Sequence, residues 1–354
     1  MRKLFLFILA LLAFGTTQAQ QDFLDVDKWL HSHADEMGGR AILLVFKDEK
    51  IVYSNSVNNM TRKQEFVANY LAKRQGKTAD LGKFTPTTRL AIASCSKWLS
   101  AALVMTFVDE GRLNLNDTVG KYLPALSKSG KGSITISDCL SHTTGIKSPD
   151  LGKDLKDMKT LNSMDEAIAR IAQFPMEGKP GKVFRYSNTG LEIAGAIVEK
   201  IGGKSFSALF DERIAQPLEM ANTDFGKAKV PLPAGGASST PADYIHFLTM
   251  ILNKGTFHGK RILSEKSIGL MQVNRITPDV KVAYSPAEAG NLGYGYGEWV
   301  IDNGCVGSPG MFGSYPWVDN NRKYCAFLMT FYLKPDGRKE RYAELKKLVD
   351  KAID

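Results

Sequence analysis

Apolar residues recur at two different spacings along this chain, and each spacing predicts a different kind of element. In residues 23–36 they recur every three or four positions, which predicts an amphipathic helix. Residues 40–46 and 50–54 are instead rich in aliphatic and β-branched residues and flank Asp48-Glu49. This second pattern predicts a β-hairpin near the start of the chain.

The strand pattern returns near the other end. Residues 314–318 and 324–331 are apolar segments on either side of the turn-forming residues 319–321. An amphipathic helix is predicted after them, from about residue 337 to residue 352. Between the two ends, helical and loop patterns dominate.

Strands at both ends with helices between them predict an α+β fold. We expect one antiparallel sheet, formed by residues of roughly 38–92 and 294–354, with a helical region of roughly residues 95–270 inserted between them. No internal repeat or low-complexity linker divides the chain.

One segment of the helical region is apolar on every side. Residues 98–110 carry apolar side chains around their whole circumference, which predicts a buried helix, and Gly111 supplies its end. The polar residues Ser94 to Lys97 precede this segment directly. We therefore expect them at the amino end of a central helix, where unpaired N–H groups and about half a positive charge collect.

Residues 1–19 have the composition of a secretory signal peptide. A short basic start is followed by an uninterrupted apolar run at residues 4–14, and small residues lie at Thr17 and Ala19. We expect cleavage after Ala19 and a secreted or periplasmic mature chain of residues 20–354. The apolar run is too short for a membrane span, and no cysteine follows it to carry a lipid.

The charge balance is basic but dispersed. The chain of 354 residues has 46 Lys and Arg against 37 Asp and Glu, a formal net charge of +9. No run of five like charges concentrates this excess, which argues against nucleic acid as a partner. The expectation is a mild attraction to anionic surfaces.

The four cysteines, Cys95, Cys139, Cys305 and Cys325, match neither a small disulfide scaffold nor a paired-cysteine zinc site. Cys95 and Cys139 are expected in the core. The sequence does not decide whether Cys305 and Cys325 form a disulfide. The metal-like pattern His31-Ser-His33-Ala-Asp35 falls on a predicted helix, where residues two apart point to different sides. We expect no metal and no other cofactor.

Ser94-Cys95-Ser96-Lys97 has the spacing S-x-x-K. Residues three apart in a helical turn lie on one face, so the amine of Lys97 can reach the hydroxyl of Ser94. A serine becomes a good nucleophile only when a base takes its proton, and a lysine can be that base when its pKa is lowered. By itself the pattern also fits a capping serine beside a surface lysine. Its position before a buried helix favours the catalytic interpretation.

A second polar constellation, Tyr186-Ser187-Asn188, lies in the loop of residues 180–190 before another predicted helix. A phenol beside a lysine can be held partly as phenolate and carry a proton, while an amide can orient a substrate carbonyl. Alone, this tripeptide is better explained as a turn with an asparagine at a helix start. Together with Ser94 and Lys97 it points to nucleophilic catalysis.

These two motifs resemble those of the penicillin-binding-protein-like serine hydrolases, which include class C β-lactamases, D-alanyl-D-alanine carboxypeptidases and related esterases. Further segments are similar to this family, in the same order: residues 108–119, 139–145, 216–220, 234–240 and 310–319. The resemblance covers nearly the whole mature chain. It implies a five-stranded antiparallel sheet flanked by helices, a mostly helical subdomain, and an active site between the two.

The resemblance also implies a role for each site residue. Ser94 is the acylated nucleophile, Lys97 is its partner base, and Tyr186 carries a proton to and from the leaving group. Asn188 contacts the substrate. The backbone N–H groups of Ser94 and Met311 form the oxyanion hole.

The third family motif is where this sequence departs. Relatives carry K-T-G or H-x-G on the strand beside the site, whereas the aligned residues here are Ser308, Pro309 and Gly310. Gly310 still permits a close approach of the backbone, but the cationic or titratable side chain is missing and Pro309 has no N–H. We therefore expect Ser308 and Gly310 to line a substrate site that suits an uncharged ester or amide, or an anion that another residue binds.

Three functions are compatible with this pattern. The first is an esterase or amidase that forms a Ser94 acyl-enzyme with a small-molecule or peptide substrate. The second is a β-lactamase or D-Ala-D-Ala peptidase. The third is a catalytically weak member that binds cell-wall peptides or a partner protein. The oligomeric state stays open, with a monomer favoured.

Overall fold

The computed structural model of the protein describes residues 23–74, 76, 78–158 and 160–354. The predicted signal peptide of residues 1–19 lies outside these residues. No helix in this part of the chain is long and apolar enough to cross a membrane.

Helices alternate with short strands along the described chain. The helices are α1 (Leu24–His33), α2 (Arg62–Arg74), α3 (Ser96–Asp109), α4 (Pro124–Lys128), α5 (Ile136–Leu140), α6 (Leu151–Met158), α7 (Met164–Ala172), α8 (Thr189–Gly202), α9 (Phe206–Phe210), α10 (Pro241–Leu252), α11 (Glu265–Met271) and α12 (Arg338–Ile353). The strands are β1 (Arg40–Lys47), β2 (Lys50–Asn58), β3 (Leu90–Ala91), β4 (Val183–Arg185), β5 (Ser238–Ser239), β6 (Thr256–Phe257), β7 (Lys260–Arg261), β8 (Lys281–Tyr284), β9 (Gly293–Tyr294), β10 (Trp299–Asp302), β11 (Cys305–Gly307), β12 (Tyr315–Asp319) and β13 (Tyr324–Thr330).

Seven strands form one antiparallel sheet in the order β2-β1-β13-β12-β11-β10-β9. The N-terminal hairpin joins the C-terminal strands through β1 and β13, in which Leu44 lies opposite Phe327. The predicted α+β class is confirmed, but five strands were too few. The strands β9, β10 and β11 contain only two, four and three residues, which is too short for an alternating pattern to reveal them.

Helices cover both faces of this sheet. Along β1, Leu43 and Val45 belong to the core beneath α1 and α12, whereas Ile42 and Leu44 belong to the larger core on the opposite face. On that second face, Tyr244 of α10 stacks on Phe327 of β13 with ring centroids 4.7 Å apart. Strand β13 is buried along its whole length, because each of its faces meets a helical layer.

Helix α3 lies at the centre of the larger core. Its side chains from Ser96 to Phe107 are all buried, so the predicted buried helix is confirmed. Gly111 follows the helix with φ of +70°, a conformation that glycine adopts without steric cost. This enclosure holds the residues at the amino end of α3 in fixed positions.

A small sheet outside the main one leads the chain into α3. Strand β3 pairs with β5, with Leu90 opposite Ser239, and a 3₁₀ turn at Ala93–Cys95 then precedes α3. The N-terminal part of the seven-stranded sheet was predicted to extend to about residue 92, but it ends at Asn58, the last residue of β2. The small sheet of β3 and β5 then places residue 94 between the main sheet and the helical region.

All four cysteines are buried and free. The Cys305–Cys325 disulfide considered above is not formed between these two described residues. Their side chains belong to cores on opposite faces of the sheet, so the backbone geometry keeps the sulfur atoms apart. Burial also raises the pKa of the Cys325 thiol, which disfavours the reactive thiolate.

We expect the native protein to resist thiol reagents and the unfolded protein to react at all four cysteines. The measurement is thiol titration with an aromatic disulfide, before and after unfolding in guanidinium chloride without reductant. Only two reactive thiols after unfolding would show that a disulfide forms and would contradict this arrangement.

Candidate active site

Ser94 lies in a sharp turn at the amino end of α3. Ala93, just before it, has φ of +46°, a left-handed conformation that costs a non-glycine residue on the order of 1 kcal/mol. The turn is held by the N–H of Ile92, which donates to the carbonyl of Ala237 at 3.0 Å. Ala93 and Cys95 are buried, but Ser94 itself is partly exposed. A substrate can therefore reach its hydroxyl.

Lys97 lies one turn further along α3 with its amine enclosed. The residue is 1% exposed. Its Nζ lies 3.1 Å from Ser94 Oγ, 3.3 Å from Asn188 Oδ1 and 2.7 Å from the carbonyl oxygen of Ala234. Burial lowers the pKa of Lys97 to about 7, because the charged amine loses its hydration. Near neutral pH, a large fraction of molecules therefore holds an uncharged amine beside Ser94.

Two carboxyl groups act on this amine in the opposite direction. Glu192 of α8 and Asp154 of α6 both favour the charged form of Lys97 and so raise its pKa. Burial, however, raises the pKa of Glu192 well above its usual range, which favours its neutral form. Glu192 in its charged form has the larger influence on Lys97, and Asp154 acts in the same direction.

Asn188, at the start of α8, connects Lys97 to this carboxylate. Its Oδ1 accepts from Lys97, while its Nδ2 donates to Asp154 Oδ2 at 3.3 Å. Arg170 of α7 donates to the other oxygen of Asp154 at 2.7 Å. These contacts fix which way the amide points, since only the oxygen can accept from the lysine. Sequence reasoning missed Asp154 and Arg170, because no spacing rule relates them to the site motifs.

Tyr186 lies over Lys97 in an aromatic environment. The Lys97 Nζ is 4.9 Å from the centroid of its ring. His142 and Trp299 pack against this ring with centroid separations of 4.8 and 5.2 Å. Burial raises the pKa of Tyr186, and a hydrogen bond with Ser94 opposes that shift only in part. Burial thus favours the neutral phenol, which is the form that can donate a proton.

The third motif, residues 308–310, packs against the backbone of the turn that contains Ser94. Ser308 is 2% exposed, and its hydroxyl donates to the carbonyl oxygens of Ser94 at 3.3 Å and Gly297 at 3.2 Å. This hydroxyl is thus bonded within the protein itself, and the role of Ser308 in lining the substrate site stays a prediction. At Gly310, a Cβ would lie 2.3 Å from the carbonyl oxygen of Ile92. Only glycine permits this approach.

Met311 follows directly and brings a backbone N–H to the same region. Within the described residues, the N–H groups of Met311 and Ser94 donate to no backbone carbonyl, as a predicted oxyanion hole requires. The carbonyl of Met311 accepts from Arg338 Nη2 of α12 at 3.2 Å. Arg338 therefore anchors the loop that carries Met311, a contact that sequence reasoning also missed.

The chain belongs to the Beta-lactamase family, whose profile matches residues 33–350. Among curated relatives, Protein Rv1367c of Mycobacterium tuberculosis (strain ATCC 25618 / H37Rv) is 28% identical in an alignment 246 residues long, which covers 55% of this chain and 61% of that protein. Protein flp of Staphylococcus aureus (strain MW2) is 32% identical over 146 residues, or 40% of this chain and 29% of that protein. The aligned part of this chain thus spans about three fifths or less of the length of these relatives.

Solved structures share the fold over nearly the whole chain. A candidate beta-lactamase from Bacteroides dorei DSM 17855 gives a TM-score of 0.76 at 26% identity and covers 94% of this chain and 98% of its own. EstCE1, described as a hydrolase with promiscuous acyltransferase activity, gives 0.73 at 18% identity, covering 95% and 99%. A family VIII carboxylesterase gives 0.71 at 18% identity, covering 92% and 97%. The resemblance to this group of serine hydrolases and esterases is confirmed.

The lowered pKa of Lys97 predicts how the reactivity of Ser94 depends on pH. Because the neutral amine is the form that can take the serine proton, covalent labelling of Ser94 by a fluorophosphonate should speed up as pH rises through about 7. The measurement is the second-order labelling rate between about pH 5 and pH 11, with the modified residue identified by mass spectrometry. A midpoint near the ordinary lysine pKa of about 10.4 would contradict the enclosure of the amine.

Asp154→Asn should move that midpoint to lower pH. The carboxylate raises the pKa of Lys97, so its removal lowers that pKa and moves the midpoint to lower pH. The matched control is Asp157→Asn, because Asp157 also pairs with Arg170, at 3.0 Å, without contacting Asn188. A slower rate with an unmoved midpoint would show that Asp154 only supports the local fold.

Proposed function

We propose that the protein is an exported serine hydrolase that acts on a small ester or amide through an acyl-enzyme formed on Ser94. The observation that carries this proposal is the enclosed amine of Lys97, which lies 3.1 Å from the Ser94 hydroxyl and has a pKa lowered to about 7. A capping serine beside a surface lysine would leave the amine hydrated and charged. Membership of the Beta-lactamase family supports the same class of chemistry.

The first half of the reaction acylates Ser94. The neutral amine of Lys97 takes the hydroxyl proton while the Ser94 oxygen attacks the carbonyl carbon of the substrate. The electron pair displaced onto the carbonyl oxygen is stabilised by the N–H groups of Ser94 and Met311. As the tetrahedral intermediate collapses, Tyr186 donates its proton to the leaving alcohol or amine and recovers one from the Lys97 ammonium. The net transfer moves one proton from Ser94 to the leaving group.

The second half of the reaction releases the acid. Water attacks the acyl carbon and gives a proton to the Lys97 amine. The bond to Ser94 then breaks, and the serine oxygen takes that proton back from Lys97. The similarity to EstCE1, a hydrolase with promiscuous acyltransferase activity, supports an intermediate of this kind, because an alcohol can replace water in this step.

The third motif supports an uncharged substrate. A lysine at position 308 would provide a cation for a substrate carboxylate, whereas Ser308 is neutral and its hydroxyl is already bonded to two backbone carbonyls. A carboxylate bound there would have to be desolvated without a compensating charge from this residue. Esters and amides of uncharged acyl groups avoid this penalty.

Ser94→Ala should reduce turnover of a p-nitrophenyl ester by at least about 10³-fold, because no other group can form the covalent intermediate. The measurement is kcat/KM of the mature chain and the variant, together with mass spectrometry of the wild type after rapid quenching to detect an acyl adduct. Ser207→Ala, on α9, is the control that removes a hydroxyl elsewhere. Undiminished turnover in Ser94→Ala would reject the acyl-enzyme.

A β-lactamase is the second candidate, supported by the candidate beta-lactamase from Bacteroides dorei at 26% identity. Hydrolysis of a chromogenic cephalosporin separates the two activities. The proposal requires kcat/KM for the neutral ester to exceed that for the cephalosporin. The reverse order would favour the second candidate, and no turnover of either would favour a binding protein.

A further inference from the structure

Helix α2 exposes three large apolar side chains on the outside of the molecule. Phe66 is 71% exposed, Tyr70 is 54% exposed and Val67 is 46% exposed. A surface helix normally turns such residues toward the core. Among the α2 residues whose side chains the structure describes, the partly buried ones are Gln64, Glu65, Ala68 and Ala72.

The outward side of α2 is also basic. At 3.6 residues per turn, the three apolar residues fall within an arc of about 140°. The same arc contains four exposed basic residues of the helix: Arg62, Lys63, Lys73 and Arg74. The acidic residue of α2, Glu65, lies outside it. Aromatic rings and cations thus share one surface, and the guanidinium of Arg74 lies 5.9 Å from the ring centroid of Tyr70.

Polar contacts fix the start of α2 to the body of the protein. The N–H of Thr61 donates to Gln64 Oε1 at 2.8 Å, and Gln64 Nε2 donates to the carbonyl of Asp35 at 3.2 Å. Gly39 approaches so closely that a Cβ there would lie 2.8 Å from the Met60 Cα. These contacts orient the helix while its outward side stays uncovered.

We propose that this outward side of α2 docks the protein on an anionic phospholipid surface. Aromatic rings are favoured at the level of lipid headgroups, and each basic residue near an anionic bilayer strengthens binding about fivefold. A helix that lies in the membrane interface combines both kinds of side chain. A neutral protein partner would instead leave four cations without counter-charges.

The charge of the whole chain fits this occupant. The net charge of +9 attracts any anionic surface weakly, but it selects no orientation. The exposed rings of Phe66 and Tyr70 add apolar contacts beside the cations of α2, so this face of the molecule is turned toward the lipid. This docking does not depend on the hydrolase proposed above.

The test measures binding of the chain from residue 20, which contains every described residue, to sedimented vesicles. We expect binding to vesicles of phosphatidylglycerol and phosphatidylcholine in equal parts, but not to phosphatidylcholine alone. Lys63→Glu combined with Lys73→Glu should weaken binding by about 25-fold or more. Lys227→Glu with Lys260→Glu is the matched control, because it makes the same change of charge at exposed positions outside α2.

The apolar contribution is tested by Phe66→Ser combined with Tyr70→Ser, which should weaken binding to the anionic vesicles. Its control is Ile51→Ser with Val273→Ser, since these residues are 43% and 46% exposed elsewhere. Equal losses in a test pair and its control, or no binding to anionic vesicles, would overturn the proposal. Self-association that the Phe66 and Tyr70 changes abolish would assign the face to a second copy instead. Ester turnover in solution should be unchanged in the α2 variants, so a failure of docking is distinguishable from a failure of the proposed function.

Discussion

The removal of one amine from water is the constraint on which the rest of the site depends. Lys97 is costly to charge in its enclosed position, so its neutral form is available near pH 7. The structure nevertheless surrounds the amine with acceptors from three places: Ser94 in the same turn, Asn188 at the start of α8, and the Ala234 carbonyl. The amine can therefore gain and lose a proton without losing its position.

To hold the amine in this position, the amino end of α3 must be fixed against the loop that follows β11, an inner strand of the sheet. The enclosure of α3 supplies one half of this attachment. The other half is the contact at Gly310, where the absence of a side chain lets the loop after β11 approach Ile92. The Ser308 hydroxyl then ties this loop to the carbonyl of Ser94. Ser308 is thus the residue at the first position of the third motif, and its hydrogen bond stabilises the contact between the loop and the turn of Ser94.

Local sequence predicted the parts of the site that depend on spacing within one element. Ser94 and Lys97 lie three residues apart before a recognisably buried helix, and Asn188 precedes another. Asp154 could not be predicted in this way, because its contact with Asn188 joins residues 34 apart and depends on how α6 packs. The environment of Tyr186 could not be predicted for a similar reason, because burial is a tertiary property. The position of the short strand β9 at Gly293–Tyr294 in the sheet depends on its pairing with β10.

The order of the chain has a consequence for when the protein becomes active. Ser94 and Ser308 are 214 residues apart in the sequence. The N-terminal and C-terminal strands form one sheet only when β1 pairs with β13. Contacts of such long range form late in folding, and a ribosome releases the C-terminal strands last. A nascent or truncated chain therefore has its serine and lysine without the loop that faces them. The site is therefore complete only after the loop that follows β11 has been synthesised and has packed against the turn of Ser94.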